Sequence, residues 1–223
     1  MMLNIAIDGF SGAGKSTVAD QIAEKLNIKK FDTGSMYRGL ACEYLAQSLP
    51  EPNEQIIENF ISSVSVEIFF EGNKQHVVVN GTDYTQHLRE EKIGYYSSLI
   101  SPFPHLRQKV LSIQRTFASQ NDCVMEGRDI GSVVLPNASV KFFLTASLEK
   151  RTQRRLKQLQ EMGLDGNYEE IYASLKVRDQ NDLSRKIAPL IKVDDAIEID
   201  ASEKTIDEVV DECLKIIYEK TGK

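Results

Sequence analysis

Apolar and polar positions follow two rhythms along most of this chain. The run Leu3-Asn4-Ile5-Ala6-Ile7-Asp8 is short and mostly apolar, and it reads as a strand. From Val18 to Leu26 the rhythm turns helical, with Val18, Ala19, Ile22, Ala23 and Leu26 on one face. Ile28 to Phe31 predicts a second strand, and Met36 to Ala46 a helix that stops near Pro50. Short buried strands return at Cys123–Met125, Val140–Leu144 and Ala196–Ile199. Helices are predicted over Leu88–Leu99, Leu106–Ala118, Ser147–Met162, Tyr168–Asp179 and Thr205–Tyr218. In the last of these, Ile206, Val209, Val210, Cys213, Leu214 and Ile217 form one apolar stripe. Strands alternating with helices predict an α/β fold, a parallel sheet covered on both faces.

One stretch breaks the rhythm. After a short helix at Glu54–Ile61, Val64 to Phe70 alternates as a strand, Gly72-Asn73 is a turn, His76 to Val79 is a second strand, and Asn80-Gly81 turns again. Residues 63–84 are therefore expected to be a small β insert. The core is expected to take 1–62, 85–146 and 186–223. Residues 147–185, two helices joined by the tip Gly163-Leu164-Asp165-Gly166-Asn167, have the form of a lid.

Chemistry enters between the first strand and the first helix. Gly9-Phe10-Ser11-Gly12-Ala13-Gly14-Lys15-Ser16-Thr17 fits the phosphate-loop pattern G-x-x-x-x-G-K-[ST]. Glycines let a backbone wrap phosphate oxygens closely, and the new helix adds the positive end of its dipole. Lys15 supplies a mobile charge, and the Ser16 hydroxyl suits Mg²⁺. An ordinary glycine turn has no need of this whole run in register between a strand and a helix.

The charge balance narrows the ligand. The 223 residues carry a net charge of -6, so no global positive field attracts nucleic acid or an anionic membrane. Any phosphate must be held by local clusters. Such clusters occur at Tyr37-Arg38 near a helix start, at Glu126-Gly127-Arg128-Asp129 after a strand, and at Lys150, Arg151, Arg154, Arg155 and Lys157 along one helix. Arg151 and Arg155 lie four apart and are expected to share a face. The three cysteines, Cys42, Cys123 and Cys213, show no paired spacing, which suggests packed free thiols in a reducing compartment. The three histidines lack metal-ligand spacing. With no signal-like start and no apolar run of membrane-spanning length, a cytoplasmic protein is expected.

A GTPase would need a guanine-reading N-K-x-D, and Asn73-Lys74-Gln75-His76 lacks the Asp. A motor or transporter ATPase usually has an apolar strand ending in Asp, and Phe142-Phe143-Leu144 ends in Thr145. A small kinase moving phosphate between two anions accounts best for the arginines.

Four motifs then point to a family. Asp8-Gly9 through Thr17, Asp32-Thr33-Gly34-Ser35-Met36-Tyr37-Arg38, Glu126 through Gly131, and Arg178-Asp179 with Asp182, Arg185 and Ala188-Pro189-Leu190 together resemble bacterial cytidylate kinases. The resemblance implies a P-loop kinase fold, with a five-stranded parallel sheet flanked by helices, a β insert on the acceptor side and a helical lid. It implies transfer from Mg-ATP to CMP or dCMP. Separately, a monomer that binds neither nucleic acid nor membrane is expected. Lys15 would follow the transferring group. Arg38, Arg128 and Arg185 would hold the acceptor phosphate, and Ser98, Arg107 and Asp129 would read cytosine. Thr33 and Asp182 would lie along the acceptor nucleotide and its sugar. Arg151, Arg155 and Arg178 would clamp phosphate from the lid. Phe10 departs from the family, where proline is common. A kinase for UMP or another small acceptor, and a non-enzymatic ATP-binding regulatory module, remain open at this point.

Overall fold

The structure is a computed structural model that describes residues 2–222. Its elements run in the order β1 (Asn4–Gly9), α1 (Lys15–Leu26), β2 (Lys29–Asp32), α2 (Thr33–Ala46), α3 (Glu54–Ser63), β3 (Val66–Glu71), β4 (Lys74–Val79) and β5 (Thr82–Asp83). There follow α4 (Glu91–Ile100), α5 (Pro104–Gln120), β6 (Cys123–Gly127), a π-helix (Ile130–Val134), β7 (Val140–Thr145), α6 (Leu148–Glu161), α7 (Tyr168–Ser184), β8 (Ile197–Asp200) and α8 (Ile206–Thr221). The larger sheet has five strands in the order β2-β6-β1-β7-β8, and its flanking helices complete the expected α/β architecture. A separate three-stranded sheet has the order β3-β4-β5.

The chain forms two compact units. One runs through Ile28 and resumes at Asp122; the other spans Lys29–Asn121. In the first, β1 pairs in parallel with β6 and β7, and β7 pairs with β8. The helical stripes read from sequence cover this sheet. Val18, Ala19, Ile22 and Ala23 of α1 and Val209, Val210, Cys213, Leu214 and Ile217 of α8 join Ile5, Ile7, Phe142 and Leu144 in one core. Burying each large side chain there contributes about 1.5–3 kcal/mol. Thr205 and Glu208 form a capping box that starts α8.

In the second unit β3 and β4 pair antiparallel from Val66↔Val79 to Glu71↔Lys74, and β5 adds to β4. Tyr44 and Phe60 meet edge to face at 5.2 Å, and Phe31 lies 4.8 Å from Phe117. Glu43 accepts hydrogen bonds from Gln47, Asn80 and Tyr84, joining α2 to the β4–β5 turn. Burial pushes its carboxyl up, but these donors together hold it below its ordinary range.

Several boundaries differ from the periodicity, each for a local reason. α2 starts at Thr33 rather than Met36 because the Asp32 side chain accepts from Ser35 N and caps it. α4 starts at Glu91 rather than Leu88 because His87 to Glu90 is a turn, with His87 Nδ1 and Glu90 Oε1 2.8 Å apart. α7 runs on to Ser184 and so carries Asp182 in its last turn. The π-helix has no counterpart in the sequence reading.

Cys42, Cys123 and Cys213 are free and buried. Burial pushes Cys42 up to about 11 and Cys123 and Cys213 up to about 12. No helix among the described residues is long and apolar enough to cross a membrane.

The tightest backbone approach lies where β1 enters its loop. Gly9 has φ 145°, and a Cβ there would sit 1.9 Å from Leu144 O. Gly9→Ala combines a forbidden backbone with a clash against the central sheet. It is expected to cost about 2–5 kcal/mol, read as a lowered urea midpoint; an unchanged midpoint would contradict this packing.

Candidate functional site

The first unit carries the phosphate loop at the carboxyl end of β1. Gly12 and Gly14 have φ 78° and 102°, and Gly14 directly precedes α1 without a side-chain cap. The N–H groups of the first α1 turn are thus left for a ligand. Ser16 and Thr17 are exposed in that turn, whereas Ala13 is buried in the core.

Lys15 is 6% exposed, and its Nζ donates to Phe10 O at 2.7 Å across the loop. Burial lowers its pKa to about 7, and Arg128 adds to the fall, while Glu126, Asp8 and Asp182 oppose it. Lys15 and Arg128 therefore act on one local field, the arrangement expected around an anion.

The arginine pair expected to meet the acceptor phosphate is built around Asp182. Arg128 Nε donates to Asp182 Oδ2 at 2.6 Å, and Arg185 Nη2 donates to Oδ1. Asp182 is 2% exposed, while Arg128 and Arg185 remain half-buried. Both carboxylate oxygens thus hold an arginine, a role the sequence reading, which set Asp182 along the sugar, did not foresee. Asp129 is buried, and the π-helix opens from it: the N–H groups of Val133 and Val134 both donate to Asp129 O.

The lid arginines separate sharply. Arg151 is 4% exposed. Its guanidinium donates to Asp179 through two bonds of 3.1 and 2.7 Å, to Ser11 O at 3.1 Å and to Ala146 O at 2.9 Å. It also lies 5.2 Å from the centre of the Phe10 ring. These partners fasten α6 and α7 to the phosphate loop. Arg154, expected from sequence only as one of a phosphate-holding cluster, donates to Ala13 O at 3.4 Å and to Ala201 O at 2.5 Å, a second tie to the loop. Arg155 is exposed and donates to Gln158 at 3.3 Å; Arg178 is exposed on α7. Arg151 and Arg155 thus do not share one environment: α6 meets the loop through Arg151 and Arg154, whereas Arg155 is exposed.

In the second unit, Thr33 is buried at the start of α2. Arg38, one turn on, is half-buried and has no hydrogen-bond or ion-pair partner among the described residues. Arg107 lies in the first turn of α5, 5.8 Å from the Tyr37 ring centre, and its Nη1 donates to Ser101 O at 3.4 Å. The Ser98 hydroxyl donates to Gly94 O at 3.1 Å, which leaves its lone pairs to accept.

Sequence reasoning gave no individual role to Asp8, Arg154 or Asp179, although each lies in a motif or cluster that it singled out. Asp8 did leave a signal, a charge at the end of an apolar strand. It is 5% exposed and accepts from Ile130 N at 2.8 Å and Gly131 N at 2.7 Å.

Comparison with known proteins agrees over nearly the whole length. The family model for cytidylate kinase matches residues 5–219. A cytidylate kinase of Geobacillus sp. is 41% identical over 220 residues, spanning 99% of this chain and 98% of that one. The cytidylate kinase of Caldicellulosiruptor saccharolyticus is 38% identical over 99% of this chain and 97% of its own. The crystal structure of an uncharacterized protein from Eubacterium ventriosum matches with a TM-score of 0.55 at 14% identity, covering 98% of this chain and 99% of that one, which shows a shared fold alone. Matched by that family model over residues 5–219 and by full-length relatives at 38–41% identity, this chain belongs to the cytidylate kinase family.

Proposed function

We propose that the protein transfers the γ-phosphoryl group of ATP to CMP and dCMP, giving ADP and CDP or dCDP. The observation that carries this reading is the closeness of two anion-binding devices in one unit. Lys15 of the phosphate loop feels the charge of Arg128, which Asp182 holds beside Arg185. A donor cradle needs the first device; only a reaction with an anionic acceptor needs the second. The cytidylate kinases among its relatives support cytosine as the base.

Catalysis in this reading is positioning and charge neutralisation. Loop N–H groups and Lys15 hold the ATP phosphates. Mg²⁺ keeps much of its water and binds chiefly through phosphate oxygens, so the exposed Ser16 hydroxyl is a fitting protein ligand. Bound there, the ion would neutralise charge on the triphosphate. Arg38, Arg128 and Arg185 neutralise the acceptor phosphate. One acceptor oxygen then bonds to the γ-phosphorus as the bond to the bridging oxygen breaks and its electron pair leaves with ADP. Asp129, Ser98 and Arg107 read the base, and Thr33 and Asp182 lie along the acceptor nucleotide. Residues 147–185 act as a lid on which the exposed Arg155 and Arg178 clamp phosphate, while Arg151 secures the loop. The enzyme works as a cytoplasmic monomer, a setting with which its buried free thiols accord.

ADP release measured with CMP, dCMP and UMP tests the reading. Cytosine offers a donor at its 4-amino group and an acceptor at N3, and uracil reverses both. Two mismatched contacts at about 1–3 kcal/mol each predict a preference for CMP on the order of a hundredfold or more. Asp129→Asn is expected to narrow that ratio, since an amide can donate to O4. A wild type that prefers UMP, or that releases ADP without regard to acceptor, would reject the reading.

The lowered pKa of Lys15 has a calorimetric consequence. With a pKa of about 7 in the free protein, Lys15 is mostly neutral at pH 8, and the triphosphate charge draws a proton back to it. MgATP binding at pH 8 is expected to take up close to one proton, measured from heats in buffers of different ionisation enthalpy. Lys15→Met is expected to abolish the uptake; equal uptake in both proteins would exclude Lys15.

The lid arginines are expected to fail differently. Arg155→Ala should lower kcat by at least about tenfold with an unchanged melting temperature. Arg151→Ala removes a buried ion pair and should lower the melting temperature as well, at a cost of about 3–5 kcal/mol. A normal kcat in Arg155→Ala would remove that residue from the clamp.

A further inference from the structure

We propose that Asp8 is a positioning residue for the acceptor: by accepting the N–H groups of Ile130 and Gly131, it fixes the turn that presents Arg128 and Asp129. This rests on the acceptor role given to those two residues. The opening turn of any helix leaves N–H groups without intrahelical partners. Here the turn is buried: Ile130 is 0% exposed, and Asp8 supplies one carboxylate oxygen to each of two successive N–H groups at 2.8 and 2.7 Å. With both oxygens so used and only 5% of the residue exposed, Asp8 acts through this turn.

The opposite side of the turn is closed as well. A Cβ on Gly131 would lie 3.1 Å from Lys141 Cδ and 3.3 Å from Asp8 Oδ2. The Lys141 stem is held in place because its Nζ reaches Asp195 Oδ1 at 2.9 Å. The backbone at Gly131 is therefore wedged between a carboxylate on β1 and a lysine stem on β7. Burial raises the Asp8 carboxyl to about 6, while the Gly131 and Ile130 N–H groups oppose the rise. At neutral pH it is an ionised acceptor, suited to two donors at once.

The position of Asp8 in the chain gives this contact its meaning. The next residue, Gly9, opens the phosphate loop, and the residues just before the clamped turn are Arg128 and Asp129. One side chain thus ties the acceptor residues to the strand that carries the donor loop. A positioning role predicts damage confined to the acceptor side.

The test compares Asp8→Asn and Gly131→Ala with wild type. An asparagine offers one acceptor and turns an NH₂ against a second N–H. The Gly131 methyl displaces the same turn while leaving the carboxylate intact. Each folded variant is expected to raise the KM for CMP by about tenfold or more, the scale set by one unsatisfied buried donor. ATP affinity, measured by calorimetry without acceptor, should stay within about twofold in Gly131→Ala, which keeps the loop contacts and the Asp8 charge that Lys15 feels. The double variant should lose less than the product of the single losses, because both act on one turn. An unchanged KM for CMP in both folded variants, or an equal loss of ATP affinity in Gly131→Ala, would overturn the proposal. If Asp8→Asn does not fold, Gly131→Ala decides by the same two readings. Arg128→Ala is the control: an unchanged KM for CMP there would sink the acceptor assignment itself, independently of Asp8.

Discussion

Register in the central sheet sets Asp8 beside Gly127 on one side and Phe143 on the other, and brings Gly9 against Leu144. Parallel pairing makes these strands end together, so their loops leave from one edge. The phosphate loop, the Arg128-Asp129 turn and the start of α6 all begin there. A slip of one residue would turn Asp8 to the opposite face, away from Ile130 and Gly131, and carry Gly9 off its contact. Buried Ile5, Ile7, Phe142 and Leu144 oppose such a slip.

On this frame the protein places charge where water is scarce. Isolated buried charges cost several kcal/mol, so each is given a partner. Asp182 takes two arginines, Arg151 takes Asp179, and Asp8 takes two backbone donors. Lys15 differs: its ammonium meets a carbonyl oxygen, with carboxylates farther off, and its pKa falls. Strain of this kind at one position, relieved by an incoming anion, is how a site favours ligand over solvent. The buried pairs keep the remaining groups in place while that exchange occurs.

Most of the frame was legible because it follows period and spacing. The stripes of α1 and α8, the β3–β4 hairpin and the phosphate loop all repeat a pattern over several residues. What escaped depends on contacts distant in sequence or on too few residues to show a period. The π-helix occupies only Ile130–Val134, and its widened hydrogen bonds leave no apolar rhythm. Asp182 and Arg185 are near neighbours, yet the sequence gives no sign that Arg128 will take the other carboxylate oxygen. Arg151 and Arg155 look equivalent on a helical wheel. Only the packing of α6 against Phe10 and Ser11 buries one and exposes the other.

The three buried cysteines have a use unconnected with catalysis. Their thiols are held protonated and out of solvent, so an alkylating reagent gains access when the surrounding structure opens. Cys123 and Cys213 belong to the first compact unit and Cys42 to the second. Labelling rates at these positions therefore read local opening of each unit separately, with no introduced probe. The chain carries its own chemical clocks, and nucleotide-induced ordering can be timed unit by unit in the natural sequence.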